Sequence, residues 1–201
     1  KCNIAIKMMP KARLKPRQKE NILREAAIHK RLRHPNIVQF IDFFETIEHY
    51  YLILELMNGG ELFHRIEQVD SFTEDDARLI VNQVANAIKY LHESGIVHRD
   101  IKPENLVFGN ATLSPLKLCD FGLSKMIENS GGSTNTPCGT IGYLAPEVAK
   151  EQTHAYGVDV WGLGCVLYAM CAFAPLFQPI LLTFCAVCAA FPPFTTNQSP
   201  S

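Results

Sequence analysis

His98-Arg99-Asp100-Ile101-Lys102-Pro103-Glu104-Asn105 packs an acid, a cation and a carboxamide into eight residues. The apolar segment Leu106-Val107-Phe108 follows it, and Leu116-Lys117-Leu118-Cys119-Asp120-Phe121-Gly122 comes next along the chain. Asp and Asn are common in turns, where their short side chains hydrogen-bond the local backbone. That accounts for each polar residue singly. It does not account for their joint order, in which a strand-like segment separates the first group from a second acid and a glycine.

An HRDxKxxN run followed by a strand-like segment and then DFG resembles the catalytic core of the protein kinases. Phosphoryl transfer leaves a protein little covalent work; it must align a hydroxyl with the γ-phosphate and neutralise charge. The resemblance implies that Asp100 accepts the substrate hydroxyl's proton or orients that hydroxyl. It implies that Lys102 lies near the transferring phosphoryl group, and that Asn105 and Asp120 hold Mg2+ through hard oxygen ligands. The fold it implies is α+β, a two-lobed kinase-like architecture that is incomplete. Residues 1–57 would be a partial N-lobe, 58–170 a partial C-lobe, and 171–201 an uncharged apolar tail unlike the family.

The totals agree with an ordinary globular chain. Its 201 residues are 47% hydrophobic and 19% charged, enough for a core. A net charge of −1 gives no global basic field for nucleic acid. Seven cysteines, an odd number without a secreted-scaffold pattern, point to a reducing compartment. No signal peptide is visible at Lys1, so a cytoplasmic setting is expected, with the nucleus as the alternative. Every Asp, Glu, Lys and Arg lies in residues 1–159.

Taken in order, Cys2 to Lys7 reads as a strand and resembles the family's V-A-I-K, with Lys7 contacting phosphate. Residues 17–33 read as a helix with a partial apolar face at Ile22, Ala26 and Leu32. Glu20 and Arg24 are spaced to pair on its exposed face. The resemblance makes Glu25 the partner of Lys7 and leaves His29, one turn on, to pack against Phe121. Ile37–Phe44 and Tyr50–Leu56 read as strands around a turn at Glu45–His49. Glu55, Leu56 and Met57 would form a hinge whose backbone hydrogen-bonds adenine, with Val107 beneath the base. Glu61, in a first helical turn, would reach the ribose or a basic substrate side chain, or simply complement the helix dipole.

Thr73 with Asp76 resembles a capping box opening a long helix through about His92, and Gly95 ends it. Ala77, Ile80, Val81, Val84, Ala87, Ile88 and Leu91 recur at helical spacing as a core face. Ala145-Pro146-Glu147 resembles the kinase A-P-E. Thr136, two residues before Cys138-Gly139-Thr140, aligns with an activating phosphothreonine; its phosphate would pair near Arg99 and imply an upstream activating kinase. Thr140 would hydrogen-bond near Asp100 and Lys102. Asp159 opens a helix that resembles the family's buried one and would accept hydrogen bonds from the backbone at His98 and Arg99.

Arg33 to Val38, Gly59 to Phe63, Lys102 to Asn105, Asp120 to Lys125 and Cys138 to Thr140 resemble the calcium/calmodulin-dependent group. Lys102 implies Ser/Thr specificity, and Glu104 with Glu61 implies protein or peptide substrates with upstream arginine. Cofactors implied are ATP and Mg2+; the alternative expectation is a truncated, inactive kinase-fold fragment that only binds nucleotide or a partner. No GxGxxG precedes Lys7, and the family pattern fades after about Met170, so a chain cut at both ends is expected. No basic amphipathic segment for calmodulin is present. Residues 160–191 are uncharged, but Pro175 and Pro179 interrupt them and Ile180–Phe191 is too short to cross a bilayer, so no membrane partner is expected. Cys185 and Cys188 lack a second pair for zinc.

Overall fold

The computed structural model describes residues 3–69, 72–110, 112–113, 115–127, 133–134 and 138–171. Thr136, Cys2 and the apolar tail from residue 172 onward lie outside these. Strands β1 (Ile4–Pro10), β2 (Phe40–Glu45) and β3 (His49–Glu55) form an antiparallel sheet in the order β1-β3-β2. Lys7 faces Leu52 across the sheet, and Ile4 faces Glu55. Helix α1 (Pro16–His29) packs over it, burying Ile22, Ala26 and Ile28. Ala26, Phe40 and Leu52 make the small core between helix and sheet.

The main core lies under α2 (Leu62–Gln68) and around α3 (Glu74–Glu93). The 3.6-residue spacing of α3 buries Ala77, Ile80, Val84, Ala87, Ile88 and Leu91, with Val81 half-buried beside them. Full burial of one such large side chain contributes about 1.5–3 kcal/mol. Thr73 caps the helix, its hydroxyl oxygen accepting from the Asp76 N–H at 3.1 Å. Gly95 follows with φ +71°, a left-handed geometry that suits glycine. Two short antiparallel pairs follow, β4 (Ile96–Val97) with the distant β7 (Lys125–Met126) and the hairpin of β5 (Leu106–Phe108) with β6 (Leu116–Leu118); α4 (Pro146–Ala149) joins a second cluster with Val97, Ile127 and Val158, and α5 (Gly157–Cys171) packs against α3.

Several boundaries depart from the pattern-based expectation. Helix α1 stops at His29 rather than at residue 33. Its last turn tightens, Leu32 N–H donating to His29 O, and the Arg33 N–H is taken by the Tyr90 hydroxyl at 3.0 Å. Tertiary capping thus ends it four residues early. Strand β2 begins at Phe40, because Ile37 bridges Leu118 and the Val38 N–H donates to Leu118 O. Glu45 and His49 belong to strands, leaving 46–48 as the turn. Glu61 is the N-cap of α2 rather than a member of its first turn. Arg24 donates to Asn21 at 2.8 Å instead of pairing with Glu20. Among the described residues no helix is long and apolar enough to cross a membrane.

Candidate active site

The loop from His98 to Ile101 is seated by α5. Asp159, fully buried in the first turn of that helix, accepts the His98 N–H at 2.9 Å and the Arg99 N–H at 2.7 Å. His92 from α3 reaches the same carboxylate at 2.8 Å. One turn along α5, Gly162 lies so close that an added Cβ would sit 2.8 Å from Ile101 Cβ and 2.9 Å from Ile101 O. Only a glycine fits there. The sequence reading found Asp159 but missed Gly162, which carries no local signal inside a helix except that glycine is costly there.

Arg99 takes φ +70° and Asp120 φ +58°, both left-handed and both costly for residues with side chains. His98 is completely buried. Its Nδ1 accepts the Asp100 N–H at 3.3 Å and its Nε2–H donates to Cys119 O at 3.2 Å, which fixes a neutral ring. Burial also lowers its pKa, outweighing the pull of Asp159 and Asp100. Through this ring the loop is tied to the residue preceding Asp120. Phe121 is buried between His98 and His29, the latter ring centroid at 4.6 Å.

Asp100, Lys102, Asn105 and Thr140 close into one network. Lys102 Nζ lies 3.0 Å from Asp100 Oδ2 and donates to Thr140 Oγ1 at 2.7 Å. The Thr140 hydroxyl donates to Asp100 Oδ1 at 2.7 Å. Asn105 Nδ2 donates to Asp100 O at 2.8 Å and to Oδ2 at 2.9 Å. The amide nitrogen being committed, the Asn105 side-chain oxygen is the atom left for another partner.

A second cluster joins the sheet to this loop. Lys7 Nζ lies 3.0 Å from Glu25 Oε1 and 3.5 Å from Asp120 Oδ1. Burial works against the Lys7 ammonium, but Glu25 and Asp120 together raise its pKa. Burial raises the Glu25 carboxyl, and Lys7 offsets this only in part. For Asp120 burial is again the largest influence and is overcome: Lys7, the Gly122 N–H and His98 hold the carboxyl below its usual range. Together the two clusters bring three carboxylates, Asp100, Glu25 and Asp120, two ammoniums, Lys7 and Lys102, and the Asn105 carboxamide, a charge pattern able to receive a polyphosphate and a cation. Among the described residues no group of three His, Cys, Asp or Glu could hold a metal unaided. A carboxylate and a carboxamide oxygen instead suit a hard cation that keeps several waters.

The remaining predicted residues scatter around this opening. Glu55 ends β3; its carboxylate accepts from Lys117 Nζ at 2.6 Å and the Gln39 N–H at 2.6 Å, while its own N–H donates to Gln39 O at 3.0 Å. Met57 is half-buried just beyond. Val107 on β5 bridges Glu61, whose carboxylate sits 3.7 Å from His64. One oxygen of Glu104 is buried with no hydrogen-bond partner among the described residues. Arg99 donates through Nε to Leu123 O at 2.7 Å, and its Nη1 is buried without a partner among the described residues. Burial lowers the Arg99 pKa, with nearby Arg24 adding to the effect. Thr136, its predicted counterpart, lies outside the described residues.

This architecture is that of a protein kinase catalytic domain. Residues 1–183 match the family model for the protein kinase domain, and the chain belongs to that family. The match runs beyond Met170, where the recognisable motifs stop. Serine/threonine-protein kinase srk1 of Schizosaccharomyces pombe is 44% identical over 194 residues, covering 80% of this chain and 33% of that protein. Calcium/calmodulin-dependent protein kinase type II of the same yeast is 39% identical, covering 88% of this chain and 41% of that protein. The human calcium/calmodulin-dependent protein kinase type 1B is 45% identical over 178 residues, covering 87% of this chain and 51% of that protein. The chain thus spans about a third to a half of the length of these relatives.

Proposed function

We propose that this chain carries out ATP- and Mg2+-dependent transfer of the γ-phosphate to Ser or Thr hydroxyls of protein substrates. The observation that carries the reading is the closed Asp100–Lys102–Asn105–Thr140 network beside the Lys7–Glu25–Asp120 cluster. A substrate hydroxyl takes the place of the Thr140 hydroxyl at one Asp100 oxygen; Asp100 orients it and accepts its proton. Lys102 then faces the transferring phosphoryl oxygens. Lys7, held by Glu25, neutralises the remaining phosphates. Asn105 through its side-chain oxygen and Asp120 through its carboxylate would hold Mg2+, which when bound neutralises charge on the phosphate oxygens. The backbone at Glu55 and Met57 receives the adenine above Val107.

Regulation and specificity follow the same residues. Phosphate on Thr136, placed by an upstream kinase, pairs with Arg99, whose idle Nη1 supports that role. Glu104, with its unpartnered buried oxygen, and Glu61 select substrates with upstream arginine. Kinship with the calcium/calmodulin-dependent enzymes supports calmodulin as a partner. The test is transfer of γ-phosphate to an arginine-containing peptide by residues 1–201, with Asp120→Ala as control. Transfer that vanishes in the control supports the reading. Mg-ATP binding without transfer overturns it in favour of a nucleotide-binding domain.

A further inference from the structure

Two cations strap the segment that leaves β3 to the β5–β6 hairpin, one on each side of residues 56–58. Before it, Lys117 on β6 holds the Glu55 carboxylate at 2.6 Å, and Lys117 is the register partner of Val107. After it, Arg65 on α2 sets its guanidinium over the Phe108 ring, the guanidinium carbon 3.6 Å from the ring centroid. The same guanidinium donates to Gly59 O at 3.0 Å, Asn110 O at 2.8 Å and Thr112 O at 3.0 Å. Backbone bonds complete the strap: Gly59 N–H to Phe108 O at 2.8 Å and Phe108 N–H to Gly60 O at 2.9 Å. Gly59 admits no Cβ, which would fall 1.9 Å from Asn110 O.

These contacts have one geometric effect. They tie the backbone on both sides of residues 56–58 to the hairpin that carries Val107, the two stretches between which the proposed function seats the base. A planar fork over an aromatic face with three carbonyl acceptors holds one distance and one angle, which a flexible ammonium cannot do alone. Neither cation lies among the groups assigned to phosphate or to the hydroxyl.

We propose that Arg65 and Lys117 are positioning residues for the nucleotide base: together they fix the width of the slot that receives adenine, without touching the phosphates. The proposal rests on the nucleotide-binding reading above and names what sets its base recognition. A rigid slot holds a flat ring with little reorganisation; a loosened one costs binding.

The experiment measures binding by residues 1–201 of two ligands that divide the nucleotide: adenosine, and Mg2+ with inorganic tripolyphosphate. The variants are Arg65→Lys, Arg65→Ala and Lys117→Gln, with thermal midpoints recorded for each. The expected result is adenosine affinity reduced by about tenfold or more in Arg65→Ala and Lys117→Gln. Arg65→Lys should recover only part, and tripolyphosphate affinity should stay within about twofold in all three. Equal weakening of both ligands would mean a general structural role and overturn the proposal, as would unchanged adenosine affinity. Failure of the unaltered chain to bind either ligand overturns the nucleotide reading itself, an outcome distinct from the other two.

Discussion

Asp100 and Lys102 keep only 10% and 17% of their side-chain surface exposed, whereas Lys7 and Asp120 keep 43% and 49%. The first pair is held by neighbours from three directions: Asn105, Thr140 and, through the backbone, Asp159 on α5. The second pair is held by Glu25 and by little else beyond the Gly122 N–H. Two ion pairs of the same chemistry are thus kept in different states. In the proposed reaction the group that orients a hydroxyl is fixed beforehand, and the charges that meet phosphate and metal stay wet until a ligand replaces their water.

The contrast can be broken most severely at Asp100 itself. Asp100→Ala should lower phosphoryl transfer by roughly 10²–10⁴-fold, the range for loss of a positioned acid–base group, with peptide phosphorylation as the readout. Asp159→Ala strikes the support rather than the site. It leaves the buried His98 N–H and the part-buried Arg99 N–H without their acceptor, and urea denaturation should show a loss of about 3–5 kcal/mol. On the open side, Glu25→Gln should abolish most transfer while changing the unfolding free energy by no more than about 1 kcal/mol, since Lys7 is half in solvent. If both substitutions destabilise equally, the distinction between a rigid and an open half fails.

His29 sharpens the comparison through pH. Burial lowers its pKa from 6.5 to about 4, against the hydrogen bond between Nε2 and Val38 O. Between these values the unfolded chain binds a proton that the folded chain refuses. The stabilisation is therefore complete above pH 6.5 and is lost as pH falls toward 4, by about 3 kcal/mol in all. His29→Gln should flatten that part of the stability profile relative to the unaltered chain. The smallest effect belongs far from the site: Thr73→Ala removes the cap of α3 and should cost about 1 kcal/mol, leaving transfer kinetics unchanged.

Local pattern was legible where local physics decides. The apolar spacing of α3, its Thr73 cap and Gly95 all stand where spacing and turn chemistry put them. The loop residues His98 to Asn105 were legible as an ordered set and Thr140 was expected beside Asp100 and Lys102, though only folding shows the Asn105 amide meeting the same carboxylate. The end of α1 was not legible, because the Tyr90 hydroxyl that takes the Arg33 N–H comes from 57 residues away. Ile37 looked like strand and instead bridges β6. Arg65 and Lys117 had no signal at all: each looks like a surface cation until its distant carbonyls or carboxylate arrive. Nor does net charge reveal arrangement. Residues 1–33 carry eleven Lys and Arg against two Glu, an imbalance hidden in a total of −1.

The seat formed by Asp159 and Gly162 also has a spectroscopic signature. Most amide protons in a folded protein exchange with solvent at rates set by the opening of their own helix or sheet. The amides of His98 and Arg99 bond instead to a side chain rooted in α5. Their deuterium uptake should keep time with α5, 60 residues away in sequence, rather than with the loop around them. Two slow amides in an irregular segment would then mark, in the absence of any substrate, the fraction of molecules in which loop and helix are engaged.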